Sequence, residues 1–152
     1  MFTNFENMVE PNITINFFQN DVSITLRNRQ KLKKFIELIF SQEKKKLNSL
    51  TYVFCTDEYL LDINRRYLNH DYYTDIISFD LSDPGSPTQG EIYVSTERVK
   101  ENASLNNSSF NQELHRVIFH GALHLTGIND KSPAEAKEMR EKEDYYLQKY
   151  FS

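Results

Sequence analysis

The eleven residues His120-Gly121-Ala122-Leu123-His124-Leu125-Thr126-Gly127-Ile128-Asn129-Asp130 decide how the chain is read. Residues four apart on a helix share one side, a turn above one another, so the His120 and His124 imidazoles can reach a common point. Gly127 supplies a left-handed helix stop, and the reversal lets Asp130 swing back toward the two rings. Two imidazoles and a carboxylate make three protein ligands and leave a position for water, the donor set of a catalytic zinc site rather than a closed structural one. A pair of ordinary helix histidines would need neither the glycine stop nor the acid. Gly121 points the same way: glycine inside a helix costs about 1 kcal/mol against alanine, so something at that position needs the space.

The chain on either side organises around this segment. Asn106-Asn107-Ser108-Ser109 breaks the preceding pattern, and a long helix is expected from there through Leu125. Ser132-Pro133-Ala134-Glu135 heads a last, charged helix with a cap and a first-turn proline. Residues 12–17 alternate polar and apolar, as a half-buried strand does. Between about 28 and 45, Leu32, Phe35, Ile36, Ile39 and Phe40 recur at helical spacing. Residues 50–56 are β-branched and aromatic, a second strand, and Asp57 offers an N-cap to a helix through about 67. Residues 76–81 read as a strand, the turn formers of 82–90 as a loop, and 91–94 as a short strand. Ser95 then caps a helix to about Asn102. The expected fold is α+β: one domain over residues 1–152, a mixed sheet of about four strands packed with four to five helices, the histidine helix being zincin-like. The first ten residues carry no pattern and are expected to be disordered.

A chain of 152 residues with 39% apolar content suits one compact core. The single cysteine, Cys55, excludes a disulfide framework and multi-cysteine zinc sites, and reads as a small core residue. No run of eighteen apolar residues exists, so no membrane partner is expected, and Met1-Phe2-Thr3-Asn4 lacks a secretory signal pattern; a cytoplasmic location follows as an expectation. The formal charge of −4 argues against gripping nucleic acid by bulk charge. That average hides eight basic residues against two acids between positions 27 and 46, a local +6 that reads first as a solvated helix face and second as a surface for a polyanion.

The spacing of His120, His124, Gly127 and Asp130 is shared with zinc-dependent proteases of the metzincin group. Those enzymes place a glutamate directly after the first histidine to take a proton from the attacking water. Here that place is Gly121, so a peptidase would lack its base. The segment His-Gly-x-Leu-His-Leu-x-Gly instead resembles the YbeY-type endoribonucleases, the rRNA-maturation factors of bacteria. Upstream, Leu61-Asp62-Ile63-Asn64-Arg65-Arg66-Tyr67 is similar to that family's Leu-Asn-x-x-Tyr block. Thr74-Asp75-Ile76-Ile77-Ser78-Phe79 is similar to its Thr-Asp-Val-Leu-Ser-Phe block, and Gly90-Glu91-Ile92 to its Gly-Asp-Ile block.

The resemblance implies a zinc-dependent, single-strand-specific endoribonuclease with one ion per chain held by His120, His124 and Asp130. It implies RNA, in the form of rRNA precursors, and the small ribosomal subunit as partners, and no DNA specificity. Four positions depart from the family. Asp130 stands where histidine is usual and Asn129 where aspartate is; a carboxylate ligand lowers the formal charge of the centre from +2 to +1 and leaves the metal's identity more open. Leu68 replaces an arginine expected to hold a phosphate, and Arg65, a turn earlier, is the substitute assigned to substrate binding. Tyr73 replaces a proline. No catalytic residue beyond the metal-bound water is assigned.

Two other functions stay open from the residues: a zinc metallopeptidase of metzincin-like spacing, and a non-catalytic RNA- or ribosome-binding factor whose metal braces the turn after Gly127. Of the other histidines, His115 lies about 140° around the helix from His120 and is expected at the surface or against a partner. His70 reads as an exposed loop residue with a secondary reading as a proton shuttle.

Overall fold

Alternation of apolar side chains in four short segments builds one sheet, and the computed structural model describes residues 12–152 of the chain. In chain order the elements are β1 (Thr14–Gln19), α1 (Arg29–Gln42), β2 (Leu47–Cys55), α2 (Asp57–Leu68), β3 (Ile76–Asp80), β4 (Thr88–Ser95), α3 (Thr96–Leu105), α4 (Phe110–Leu125) and α5 (Pro133–Phe151). The sheet order is β1-β2-β4-β3. β1 and β4 run parallel to β2, while β3 is antiparallel to β4 with Ile77 opposite Tyr93. This is the mixed, four-stranded, five-helix α+β domain expected.

Successive strand residues face opposite sides. Leu50, Tyr52, Phe54, Ile92 and Val94 face the main core, where they meet the buried stripe of α1 and the apolar side of α4. α5 lies across these helices and contributes Met139, Tyr146 and Tyr150 to the same core. The other sheet face carries a smaller cluster in which Cys55 and Ile77 pack with Leu60 and Ile63 of α2. Cys55 is thus a core residue, as read.

Gly121 is explained by the packing of α4. A methyl group there would come within 2.9 Å of Ile76 Cδ1 on β3 and of Ile92 Cγ2 on β4. The glycine lets the helix lie directly on the sheet. That contact sets the height of His120 and His124 above the edge strand β3.

Several boundaries differ from the sequence reading. The loop assigned to 82–90 is shorter, because Thr88 donates to the Lys46 carbonyl and starts β4 beside β2, an alignment no local pattern encodes. The cap of α2 is Thr56, whose hydroxyl accepts the Tyr59 amide; Asp57 sits in the first turn and holds Arg98 instead. α3 continues three residues past Asn102, and α1 stops at Gln42, just ahead of Lys44, which is in the left-handed region. The expectation for the first ten residues lies outside the described residues. Among the described residues no helix is long and apolar enough to cross a membrane.

Candidate metal centre

α4 starts at Ser109, whose hydroxyl accepts the Gln112 amide, and buries Leu114, Val117, Ile118 and Ala122. It ends in a paired-bond glycine stop: Gly127 has φ 106°, its amide donates to the His124 carbonyl, and the Ile128 amide donates to the Leu123 carbonyl. This reversal carries Asp130 back over the helix. Asp130 Oδ2 lies 3.4 Å from His120 Nε2, and Asp130 Oδ1 lies 3.3 Å from His124 Nε2. The three donor atoms all fall within 4.8 Å of one another.

These separations fit an ion. They exceed the 2.7–3.2 Å typical of N–H···O hydrogen bonds. Donors held about 2.1 Å from zinc at tetrahedral angles stand about 3.4 Å apart. The remaining ring nitrogen of His120 supports the same reading, since His120 Nδ1 donates to Glu143 Oε2 at 2.6 Å. That bond fixes the tautomer in which Nε2 keeps its lone pair toward Asp130, the orientation a ligating imidazole needs. Glu143 is 5% exposed, and its other oxygen accepts from Arg116 Nη1 at 3.0 Å, so the buried carboxylate is paired on both sides. His120, His124 and Asp130 together can hold a divalent metal ion.

Electrostatics separate the two imidazoles. Burial opposes protonation of His120, but the Glu143 carboxylate, with Asp130 and Asp75 beyond it, outweighs burial and raises its pKa. At His124 burial, and after it the neighbouring His120, outweigh the Asp130 carboxylate and lower the pKa. Burial also raises the pKa of Asp75, whose Oδ2 accepts from Asn102 Nδ2 at 3.3 Å.

The centre opens into a cleft of about 590 Å³, within the range that holds small ligands. Its walls include Asn64, Leu68, His70 and Tyr72 from the end of α2 and the loop after it, Ser78 from β3, and Lys131 beside Asp130. Asp75 lines it as well. Arg65 is exposed, is paired with Asp71, and is not among the residues of this wall. The basic residues of α1 are mostly exposed, which is the solvated face expected.

His115 requires a correction. It points away from the metal centre, as its helical angle demands, but it is 2% exposed rather than on the surface. Its ring stacks on Tyr150 of α5 at 5.1 Å, and its Nδ1 donates to the Asn111 carbonyl at 2.7 Å. The docking of α5 buries it. Glu143 and Arg116 had escaped the sequence reading: a glutamate 23 residues from its histidine, on a helix of mixed charges, carries no local signal.

Comparison with known proteins agrees with this architecture. The family model described as Endoribonuclease YbeY matches residues 14–151. Endoribonuclease YbeY of Cytophaga hutchinsonii is 49% identical over 134 residues, spanning 88% of this chain and 94% of that protein. The protein of the same name from Parabacteroides distasonis is 39% identical over 89% of this chain and 94% of its own length. The solution structure of TM1509 from Thermotoga maritima superimposes with a TM-score of 0.61 at 27% identity, covering 90% of this chain and 89% of that one. Because the match runs from the first strand through the histidine helix to the end of α5, the chain belongs to the endoribonuclease YbeY family.

Proposed function

We propose that this protein is a metal-dependent, single-strand-specific endoribonuclease that acts in ribosomal RNA processing and ribosome maturation in the cytoplasm, as one hydrolase domain. Its substrates in this reading are rRNA precursors, met at the small ribosomal subunit, with zinc as the ion. The observation that carries the proposal is the convergence of His120 Nε2, His124 Nε2 and the Asp130 carboxylate at the head of an open cleft.

A zinc ion held there supplies Lewis acidity at a phosphodiester. The chain's own groups do the rest. Asp130 offsets part of the ion's charge, Glu143 holds the His120 ring in its ligating tautomer, and Lys131 offers the cleft a cation for a phosphate. Arg65, on the last turn of α2, is assigned to the RNA backbone running out past the loop. Leu68 brings no charge to the wall, so phosphate binding in this chain rests on fewer fixed cations than an arginine there would provide.

The peptidase alternative loses its footing at Gly121. That position is a glycine packed closely against Ile76 and Ile92, so no carboxylate stands there to act as a base. The deciding experiment measures zinc content and cleavage of single-stranded RNA and of casein by wild type and His124→Ala. Wild type is expected to carry zinc and cut RNA only, and the variant to lose both properties together. Full RNA cleavage by a zinc-free variant would defeat the proposal.

A further inference from the structure

The loop between α2 and β3 presents an aromatic pair to the metal cleft. The His70 and Tyr72 rings stack at 5.1 Å and 21°, and a hydrogen bond of 2.9 Å joins the Tyr72 hydroxyl to His70 Nδ1. Both residues line the cleft, and Tyr72 is 56% exposed, so a large flat ring stands open beside the donors of the candidate metal. Left exposed, such a ring forgoes the burial that usually accompanies an aromatic side chain.

The pair is held in place by the backbone of its own loop. Asn69 takes a left-handed conformation with φ 56°, and the His70 amide donates to the Asn64 carbonyl, closing α2. The Asn64 side chain, 1% exposed, donates through Nδ2 to the Tyr72 carbonyl at 2.9 Å. One buried asparagine therefore ties down the residues on both sides of the turn. Neither tie uses the Tyr72 or His70 side chain.

The same cleft is bordered by a strand edge that no other strand pairs among the described residues. In β3 the Asp75 carbonyl accepts from the Ser95 amide and the Leu81 amide donates to the Gln89 carbonyl. With unbroken antiparallel register between them, the pairs Ile77–Tyr93 and Phe79–Glu91 are the hydrogen-bonded ones. The main-chain groups of Ile76, Ser78 and Asp80 then point off the free edge of the sheet, where the Ile76 carbonyl accepts from the Thr74 hydroxyl at 3.4 Å, and all three residues line the cleft. The Ser78 hydroxyl also has no hydrogen-bond partner among the described residues.

A flat aromatic surface and an open strand edge are what an unpaired nucleobase requires: a π-face to stack on and main-chain groups to meet its edge. An extended peptide could use the edge but has no need of the rings. We infer that Tyr72, backed by His70, is a nucleobase subsite that stacks one unpaired base of the RNA next to the phosphate at the metal centre, with the free edge of β3 beside the base. The inference rests on the nuclease reading for its ligand class, and its test is built to stand apart from cleavage.

Binding is measured with the metal chelated, by fluorescence anisotropy of short single-stranded RNA oligomers, each intact or carrying one abasic residue at successive positions. Tyr72→Ala should weaken binding of the intact oligomer about tenfold, the size of one base–aromatic stack. One abasic position should cost wild type about as much, and the two changes combined should cost no more than either alone. Tyr72→Phe, which keeps the ring, should bind within about twofold of wild type, whereas a role limited to bracing His70 would make it as weak as the alanine variant. Additive losses, wild-type indifference to every abasic position, or no RNA binding at all overturns the subsite. Oligomers bound with this coupling yet left uncut after zinc is restored would support the subsite and remove the nuclease reading.

Discussion

Glu143 on α5 accepts the Nδ1 proton of His120 on α4 at 2.6 Å, and through this bond α5 sets the tautomer of the first candidate metal ligand. Arg116, one turn before His120 on α4, donates to the other carboxylate oxygen at 3.0 Å and pairs Glu143 within the core. The charge order Arg116–Glu143–His120 therefore ends on an imidazole made more basic and aimed at Asp130.

Replacing Glu143 by alanine should lower zinc affinity by about 10–100-fold, the usual cost of losing the carboxylate behind a ligating histidine. Glu143→Gln keeps an acceptor for the imidazole proton but not the charge, so its loss should be smaller. Competition titration against a chromophoric chelator measures both. Equal zinc affinity in wild type and Glu143→Ala would show that His120 finds its orientation without α5.

Gly121→Ala sets two effects against each other. Alanine gains about 1 kcal/mol of helix propensity. Its methyl group, however, would stand 2.9 Å from Ile76 Cδ1 and Ile92 Cγ2, and overpacking of this kind costs about 1–3 kcal/mol. The Ile76 terminus can rotate away, but Cγ2 of Ile92 is attached at the branch and cannot. A net loss of about 1 kcal/mol should lower the melting temperature by about 2–4 °C, and adding Ile76→Val should restore part of it. A higher melting temperature in the single variant would show that α4 does not press on the sheet as described.

The parts legible in the sequence are those encoded within one or two turns of chain. His120, His124, Gly127 and Asp130 fall within eleven residues, so helix geometry and one glycine stop bring them together without outside help. The stripe of α1 is likewise periodic and was readable as buried. What escaped reading depends on segments far apart. The start of β4 at Thr88 is set by pairing with β2. The burial of His115 and the His120–Glu143 bond both arise when α5 packs on α4. α5 keeps only four residues buried among many charges, so its pattern resembles that of a solvated helix.

The burial of His115 has a pH signature. Burial comes first among the causes that lower its pKa, and the nearby Lys31 ammonium adds to it. Its Nε2 has no hydrogen-bond partner among the described residues, so protonation would leave a buried N–H unpaired. A histidine whose native pKa lies below its unfolded value of about 6.5 contributes fully above that pH and loses its contribution as pH falls. His115→Phe, among Phe119, Tyr150 and Phe151, should lack this dependence. Urea denaturation at stepped pH should show wild type losing up to about 1.4 kcal/mol more per pH unit than the variant below about pH 6.5. Parallel curves for the two proteins would sink the assignment.

Zinc should also register as stability, because a ligand of the native state alone adds free energy by mass action. At free zinc about one hundred times its dissociation constant the gain is about 2.7 kcal/mol, or about 5–10 °C in melting temperature for a domain of this size. His124→Ala and Asp130→Ala should melt at temperatures indifferent to zinc and chelator. They are cleaner probes than His120→Ala, which also strips Glu143 of a hydrogen-bond partner inside the protein. The comparison separates a catalytic ion from a structural one. If chelation lowers the melting temperature of wild type while zinc-loaded wild type leaves single-stranded RNA intact, the metal braces the turn after Gly127, and the protein binds RNA without cutting it.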